Sequence, residues 1–221
     1  MLRNLFGGSG AADKADPARS ATARSRVPRH SSGWGQMLKH FREHQNLRVL
    51  DVGPTSPNNI NYLTSLGHSI YMADLIEEAA KPRWKLPAVE GEPQSYDASG
   101  FVAENMDFAG RTFDAVLFWD TADYLPEPLI TPVIERLHQV MSSSAVLLGF
   151  FHVASRESGR EQVPYCRYHL TDKDVVEMQE GKNYPVLRVY NNRGIEKLFA
   201  AYSSYRFLLA KDNMREVIVT R

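Results

Sequence analysis

The chain has little cysteine, no net charge and no long apolar run. Cys166 is its single cysteine in 221 residues, and one thiol cannot form an internal disulfide bond, which predicts a protein of a reducing, cytoplasmic compartment. No run of about 18 apolar residues is present, so a membrane span is not expected. The 26 basic residues equal the 26 acidic ones, and this balance gives no clear indication of a nucleic-acid partner.

A periodic apolar pattern is missing from residues 1–32. This segment is rich in Ala, Ser, Gly and Arg, and it cannot bury enough apolar surface to offset the entropy lost on ordering. We predict a disordered basic tail over 1–32, followed by one domain over 33–221. An organellar transit peptide is the alternative for such an acid-poor segment.

Strong metal or nucleophile patterns are also missing. His40 and His44 have the i, i+4 spacing of metal ligands on a helix, but no third ligand stands nearby, so no metal site is expected. Cys166 lies in an apolar segment, where a buried and inert thiol is expected.

The most informative pattern is the sequence Arg48-Val-Leu-Asp-Val-Gly-Pro-Thr55. A short apolar strand ends in Asp51, turns at Gly53 and enters a helix, for which Ser56 is the expected N-cap and Pro57 the first helical residue. A second apolar strand then ends in Asp74. This order is that of a nucleotide-type βαβ unit, in which the second carboxylate reaches a ribose.

Later segments extend the alternation of strands and helices. The runs at 113–119 and 145–151 are almost continuously apolar, as in central parallel strands, and a helix is predicted at 128–141 between them. A β-rich insertion follows at about 163–190, and two strands joined by a tight turn near Asp212 must be antiparallel. The predicted fold is α/β: a Rossmann-like, mostly parallel seven-stranded sheet with helices on both faces and an antiparallel terminal hairpin. Its third strand has only a poor candidate, at 87–93.

These motifs resemble those of class I S-adenosylmethionine-dependent methyltransferases over residues 47–221. Val49-Leu-Asp-Val-Gly53 looks like the first motif of that family, and Phe113-Asp-Ala-Val-Leu117 looks like its fourth-strand motif. The resemblance implies a methyltransferase that uses S-adenosylmethionine as cofactor. The implied cofactor-binding residues are Asp51, Gly53, Thr55, Asp74 and Trp119.

Residues for proton transfer are less sharply indicated. Asp120, Tyr124 and His152 lie at the ends of the predicted fourth and fifth strands and are the catalytic candidates, although Asp120 and Tyr124 could equally belong to a helix cap. Asp97 and Asp107 are alternatives for the acid that contacts adenine. The β-rich insertion is expected to shape substrate choice or a homodimer contact, and the methyl acceptor is not indicated.

The first motif departs from the family at one position. Thr55 stands where a second glycine is usual, and Pro54 removes one N–H donor from the turn. Two further hypotheses therefore stand beside the methyltransferase: a non-catalytic methyltransferase-fold module for interaction or assembly, and a nicotinamide-dependent oxidoreductase. The last is disfavoured because a pyrophosphate needs a Gly-x-Gly-x-x-Gly turn, which is absent here.

Overall fold

The computed structural model describes residues 25–153, 162–208, 212 and 214–221. The strands are β1 (Arg26–His30), β2 (Arg48–Asp51), β3 (Ser69–Met72), β4 (Phe113–Trp119), β5 (Met141–His152), β6 (Gln162–Leu170), β7 (Val175–Pro185), β8 (Ser204–Leu208) and β9 (Met214–Thr220). The helices are α1 (Ser32–Glu43), α2 (Pro57–Ser65), α3 (Leu75–Ala79), α4 (Ala98–Asn105), α5 (Thr121–Tyr124), α6 (Glu127–Val140) and α7 (Asn192–Leu198). Within these residues no helix is both long and apolar enough to cross a membrane.

The main sheet has the strand order β3-β2-β4-β5-β9-β8. Strands β3, β2, β4 and β5 run parallel, whereas β9 pairs antiparallel with both β5 and β8. The chain moves outward from β2 to β3 and then returns to β4 on the other side of β2. The order of strands therefore reverses between β2 and β4, which is where ligands bind in open sheets of this kind.

The predicted seven-stranded sheet is wrong by one strand, because the described part of the main sheet has six. Residues 87–93, the poor candidate for the third strand, form turns and irregular structure. Prolines at 87 and 93 explain this, since proline cannot donate a hydrogen bond to a sheet. Only an isolated bridge between Lys85 and Tyr96 lies in this region.

A second, three-stranded antiparallel sheet has the order β1-β7-β6. We call it the cover sheet. Strands β6 and β7 correspond to the predicted β-rich insertion, but its last residues, 186–190, are irregular. Strand β1 lies inside the segment predicted as a disordered tail, so that boundary at 32 is too late in the chain; residues 1–24 lie outside the described residues.

Each face of the main sheet packs its own apolar cluster. Val116 and Phe118 of β4 pack on the side of α4, α6 and α7, whereas Leu117 and Trp119 pack on the side of α1, α2 and the cover sheet. This split follows from the alternation of side chains along a strand. Trp119 therefore faces the cover sheet.

Candidate functional site

Asp51 is the last residue of β2. Its side chain is buried, and both carboxylate oxygens are hydrogen-bonded: Trp119 Nε1 donates to Oδ1 at 2.6 Å, and Asn59 Nδ2 donates to Oδ2 at 2.8 Å. Burial raises the pKa of Asp51 to about 6, and the two hydrogen bonds oppose this rise. The structure thus brings together two of the predicted cofactor residues, Asp51 and Trp119, but bonds them to each other.

The start of α2 is tied to the cover sheet. Ser56 is the N-cap, as predicted, and its Oγ accepts from the Asn59 backbone N–H at 3.2 Å and lies 2.8 Å from His169 Nδ1. The Asn59 side chain donates to the Tyr168 carbonyl at 3.0 Å and accepts from the Leu170 N–H at 2.8 Å. Strand β6 therefore lies directly over the turn that follows β2.

The space above Gly53 is occupied by side chains. A Cβ atom placed on Gly53 would lie 3.1 Å from Trp119 Cδ1 and 3.8 Å from the Tyr165 hydroxyl oxygen. Gly53 is buried, whereas Thr55, the other predicted cofactor residue of this turn, is exposed. The glycine thus permits the close approach of an indole ring.

Trp119 adopts an unusual backbone conformation. Its φ angle is +48°, in the left-handed region that large side chains rarely adopt. Its ring is stacked on Tyr168, with centroids 4.7 Å apart and an interplanar angle of 11°, and it meets Phe150 edge to face. Such strain persists only where surrounding contacts impose it, and it is concentrated at functional sites.

Asp74 lies at the tip of β3 but makes local contacts. It is the N-cap of α3, where its Oδ1 accepts from the Glu77 N–H at 3.1 Å, and its side chain is half-buried. Burial raises the pKa of Asp74, although backbone hydrogen bonds from Glu77 and Ile76 act to lower it. Lys182 of β7 pairs with Glu77 at 2.5 Å, which brings the cover sheet beside this strand end.

The two alternatives for the adenine-binding acid have similar local roles. Asp97 is the N-cap of α4 and accepts from the Gly100 N–H at 2.9 Å. Asp107 accepts from the Ala109 N–H at 2.9 Å in an exposed turn. Neither geometry singles out a ligand contact.

The three catalytic candidates lie in one cluster with Asp123. The Oδ2 atom of Asp123 accepts from both the backbone N–H of His152, at 2.7 Å, and its Nδ1, at 2.8 Å. The Tyr168 hydroxyl donates to Asp120 Oδ2 at 3.0 Å, and the Tyr124 ring lies edge-on to His152. Among the described residues, the second carboxylate oxygens of Asp120 and Asp123 and the hydroxyl of Tyr124 are buried without a hydrogen-bond partner.

This cluster favours a protonated His152. Burial lowers the pKa of His152, but the hydrogen bond to Asp123 and the charges of Asp120 and Asp123 outweigh burial, and the net shift is upward, although the charge of Arg29 opposes it. Burial also raises the pKa of Asp120 to about 6 and raises that of Tyr124. The contact between Asp123 and His152 could not be predicted from the sequence, since nothing in the local pattern indicates that β5 would bring His152 to Asp123.

Comparisons with known proteins find similarities among solved structures. No family model and no curated protein matches the chain. Among solved structures, it is similar to the 1,6-didemethyltoxoflavin-N1-methyltransferase of Burkholderia thailandensis, solved with 1,6-didemethyltoxoflavin and S-adenosylhomocysteine (12% identity, 86% of this chain and 79% of that one, TM-score 0.46). It is also similar to S-adenosylmethionine-dependent methyltransferases of Methanosarcina mazei (14%, 83% and 96%, TM-score 0.48) and Aquifex aeolicus (15%, 85% and 88%, TM-score 0.44).

The order of strands and the antiparallel terminal hairpin give the chain a class I methyltransferase-like fold, as the motifs predict.

Proposed function

We propose that this protein is an S-adenosylmethionine-dependent methyltransferase. The observation that carries the proposal is the reversal of strand order between β2 and β4, with acidic residues at the ends of β2 and β3. Ligands of such sheets bind beyond the carboxyl ends of the strands at this point. The solved methyltransferase from Burkholderia thailandensis, which holds S-adenosylhomocysteine, is consistent with this choice of cofactor.

Two predicted residues would hold the cofactor in this proposal. In this proposal the half-buried carboxylate of Asp74 would accept hydrogen bonds from the ribose hydroxyls. The turn at Gly53 would receive the amino-acid end of the cofactor. When bound, the cofactor supplies an activated methyl group, for which orientation of the acceptor accounts for much of the rate enhancement.

In the described conformation Trp119 obstructs the close approach of a cofactor to the turn. Trp119 and Tyr165 fill the space above Gly53, and both oxygens of Asp51 are already hydrogen-bonded. Binding requires a second arrangement in which these side chains lie elsewhere.

The filled turn is also the observation that favours a second candidate function. A non-catalytic methyltransferase-fold module would have no need to vacate the space above Gly53. In that case Trp119 and the cover sheet would be permanent parts of the core, and Asp74 would serve only as a helix cap.

Isothermal titration with S-adenosylhomocysteine and S-adenosylmethionine separates the two candidates. The methyltransferase proposal expects saturable binding in the sub-millimolar range, with weaker binding for Asp74→Asn. This variant suits the purpose because asparagine is as good an N-cap as aspartate, so the start of α3 is preserved while the charge is lost. Absence of binding to the wild type and to variants that vacate the turn would favour the non-catalytic module.

A further inference from the structure

We propose that Trp119 is a gate residue: its indole closes the cofactor turn in the free protein and must leave Asp51 before the cofactor binds. This inference rests on the proposed function, since it concerns the affinity of the same site. It assigns to Trp119 a role opposite to that of a cofactor-binding residue. In the closed state the side chain competes with the cofactor for the turn.

The contacts of the Trp119 indole show why it would compete with the cofactor. Its Nε1 is bonded to Asp51 at 2.6 Å, and its Cδ1 would lie 3.1 Å from a Cβ atom on Gly53. A ligand approaching this turn closely would need the same volume and the same carboxylate oxygen. The indole and such a ligand therefore exclude each other.

The backbone of Trp119 indicates that the closed position is held under strain. A tryptophan at φ +48° requires compensation from its surroundings. Here the compensation comes from the bond to Asp51, the stacked ring of Tyr168 and the edge of Phe150. Release of the indole would let the backbone return to an ordinary conformation, which offsets part of the cost of opening.

Tyr168 links the gate to the cover sheet. Tyr168 belongs to β6, and its hydroxyl is bonded to Asp120, next to Trp119 in the chain. The cover sheet contacts α2 and α3 through the hydrogen bonds of Asn59 and the ion pair of Lys182, and it also shares an apolar cluster with Leu63 of α2.

The alternative is that Trp119 is an ordinary core aromatic. Its burial and its ring contacts fit that role equally well. A core tryptophan needs one polar partner, which Asp51 supplies, but that role requires neither the close approach to Gly53 nor the left-handed backbone. The two roles make opposite predictions about cofactor affinity.

The test compares binding of S-adenosylhomocysteine to wild type, Trp119→Phe and Tyr168→Leu. Phenylalanine keeps an aromatic ring but loses the bond to Asp51, and leucine at 168 removes the stacked ring without changing Trp119. If only a small fraction of the molecules has an open turn, the apparent affinity for the cofactor is reduced by that fraction. Both variants favour the open turn and should therefore bind S-adenosylhomocysteine about tenfold more tightly or better. Trp34→Phe is the matched control, because Trp34 is equally buried and donates its Nε1 to the Thr171 carbonyl, away from the turn.

NMR spectroscopy tests the gate independently of any change in cofactor affinity. In the free protein, NMR should detect the Trp119 indole proton as a slowly exchanging signal that Asp51→Asn shifts. Saturation with S-adenosylhomocysteine should move this signal and remove its protection from exchange. The Trp34 signal should stay protected.

The outcomes separate the gate from the proposed function. If wild type binds and neither variant binds more tightly, or the bound protein keeps a protected Trp119 indole proton, the gate is refuted and the methyltransferase proposal stands. If wild type and both variants all fail to bind while the controls are folded, the proposed function fails and the gate with it. Tighter binding by both variants, with an unchanged Trp34→Phe, supports the two together.

Discussion

Removal of the Arg29 guanidinium should destabilise the protein strongly, because this group neutralises a buried carboxylate where the cover sheet meets the main sheet. Arg29 Nη1 lies 2.5 Å from Glu216 Oε1, and the two side chains are only 5% and 1% exposed. The other oxygen of Glu216 accepts from the Gly33 N–H at 2.6 Å, and the guanidinium also lies over the ring of Phe150. Arg29→Met would leave Glu216 charged and buried with only one neutral donor.

Loss of one partner of a buried ion pair costs about 3–5 kcal/mol, and we expect a loss of this size in the free energy of unfolding for Arg29→Met. Arg26→Met is the matched control on the same strand, because its pair with Glu177 is 36% and 37% exposed and should contribute at most about 1 kcal/mol. Urea unfolding followed by circular dichroism measures both. The double variant Arg29→Met/Glu216→Leu should recover much of the loss, since an apolar pair can replace a buried ion pair. Equal costs for Arg29→Met and Arg26→Met would refute the reasoning.

Three further changes test other parts of the site. Asp74→Ala should weaken S-adenosylhomocysteine binding by about tenfold or more in calorimetry and cost about 1 kcal/mol of stability through the lost helix cap, whereas Asp74→Asn should show the first effect alone. The raised pKa of His152 means that its charged pair with Asp123 stabilises the fold fully just below the unfolded pKa of about 6.5, where Asp123 is still ionised, and that this contribution disappears as pH rises through the higher folded value of His152. Burial raises the pKa of Asp123, so acid also removes the pair. NMR titration should show a normal or lowered pKa of His152 in Asp123→Asn. Burial raises the pKa of Cys166 to about 12, so this thiol should react with a thiol reagent only when urea unfolds the chain, and fast labelling of the native protein would contradict its burial.

The sequence predicts those features that depend on neighbouring residues. The apolar run of β4, the Ser56 cap and the antiparallel hairpin of β8 and β9 are all present. In each case the signal is local: burial on both faces, a hydroxyl before a helix, or a connection too short for parallel strands. The main sheet could therefore be predicted almost entirely.

The cover sheet and its contacts could not be predicted in the same way. Strand β1 pairs with β7, about 150 positions later, and its sequence Arg-Val-Pro-Arg-His gives little indication of a strand. The partners of Asn59 and Asp123 are likewise distant in the chain. Nothing in the residues around Trp119 indicates a left-handed backbone, and its contacts with Asp51 and Tyr168 join residues that are distant in the chain.

The single glycine of the first motif can now be explained by the side chains around it. Backbone N–H groups are scarce at this turn, since Pro54 and Pro57 have none and that of Asn59 is bonded to Ser56. A turn with few free donors is poorly suited to a pyrophosphate, which counts against a nicotinamide cofactor. Gly53 needs to be small, because a Cβ atom on it would lie 3.1 Å from Cδ1 of the Trp119 indole. The turn therefore matches a site that closes on its own aromatic side chain when empty, and that a ligand must open.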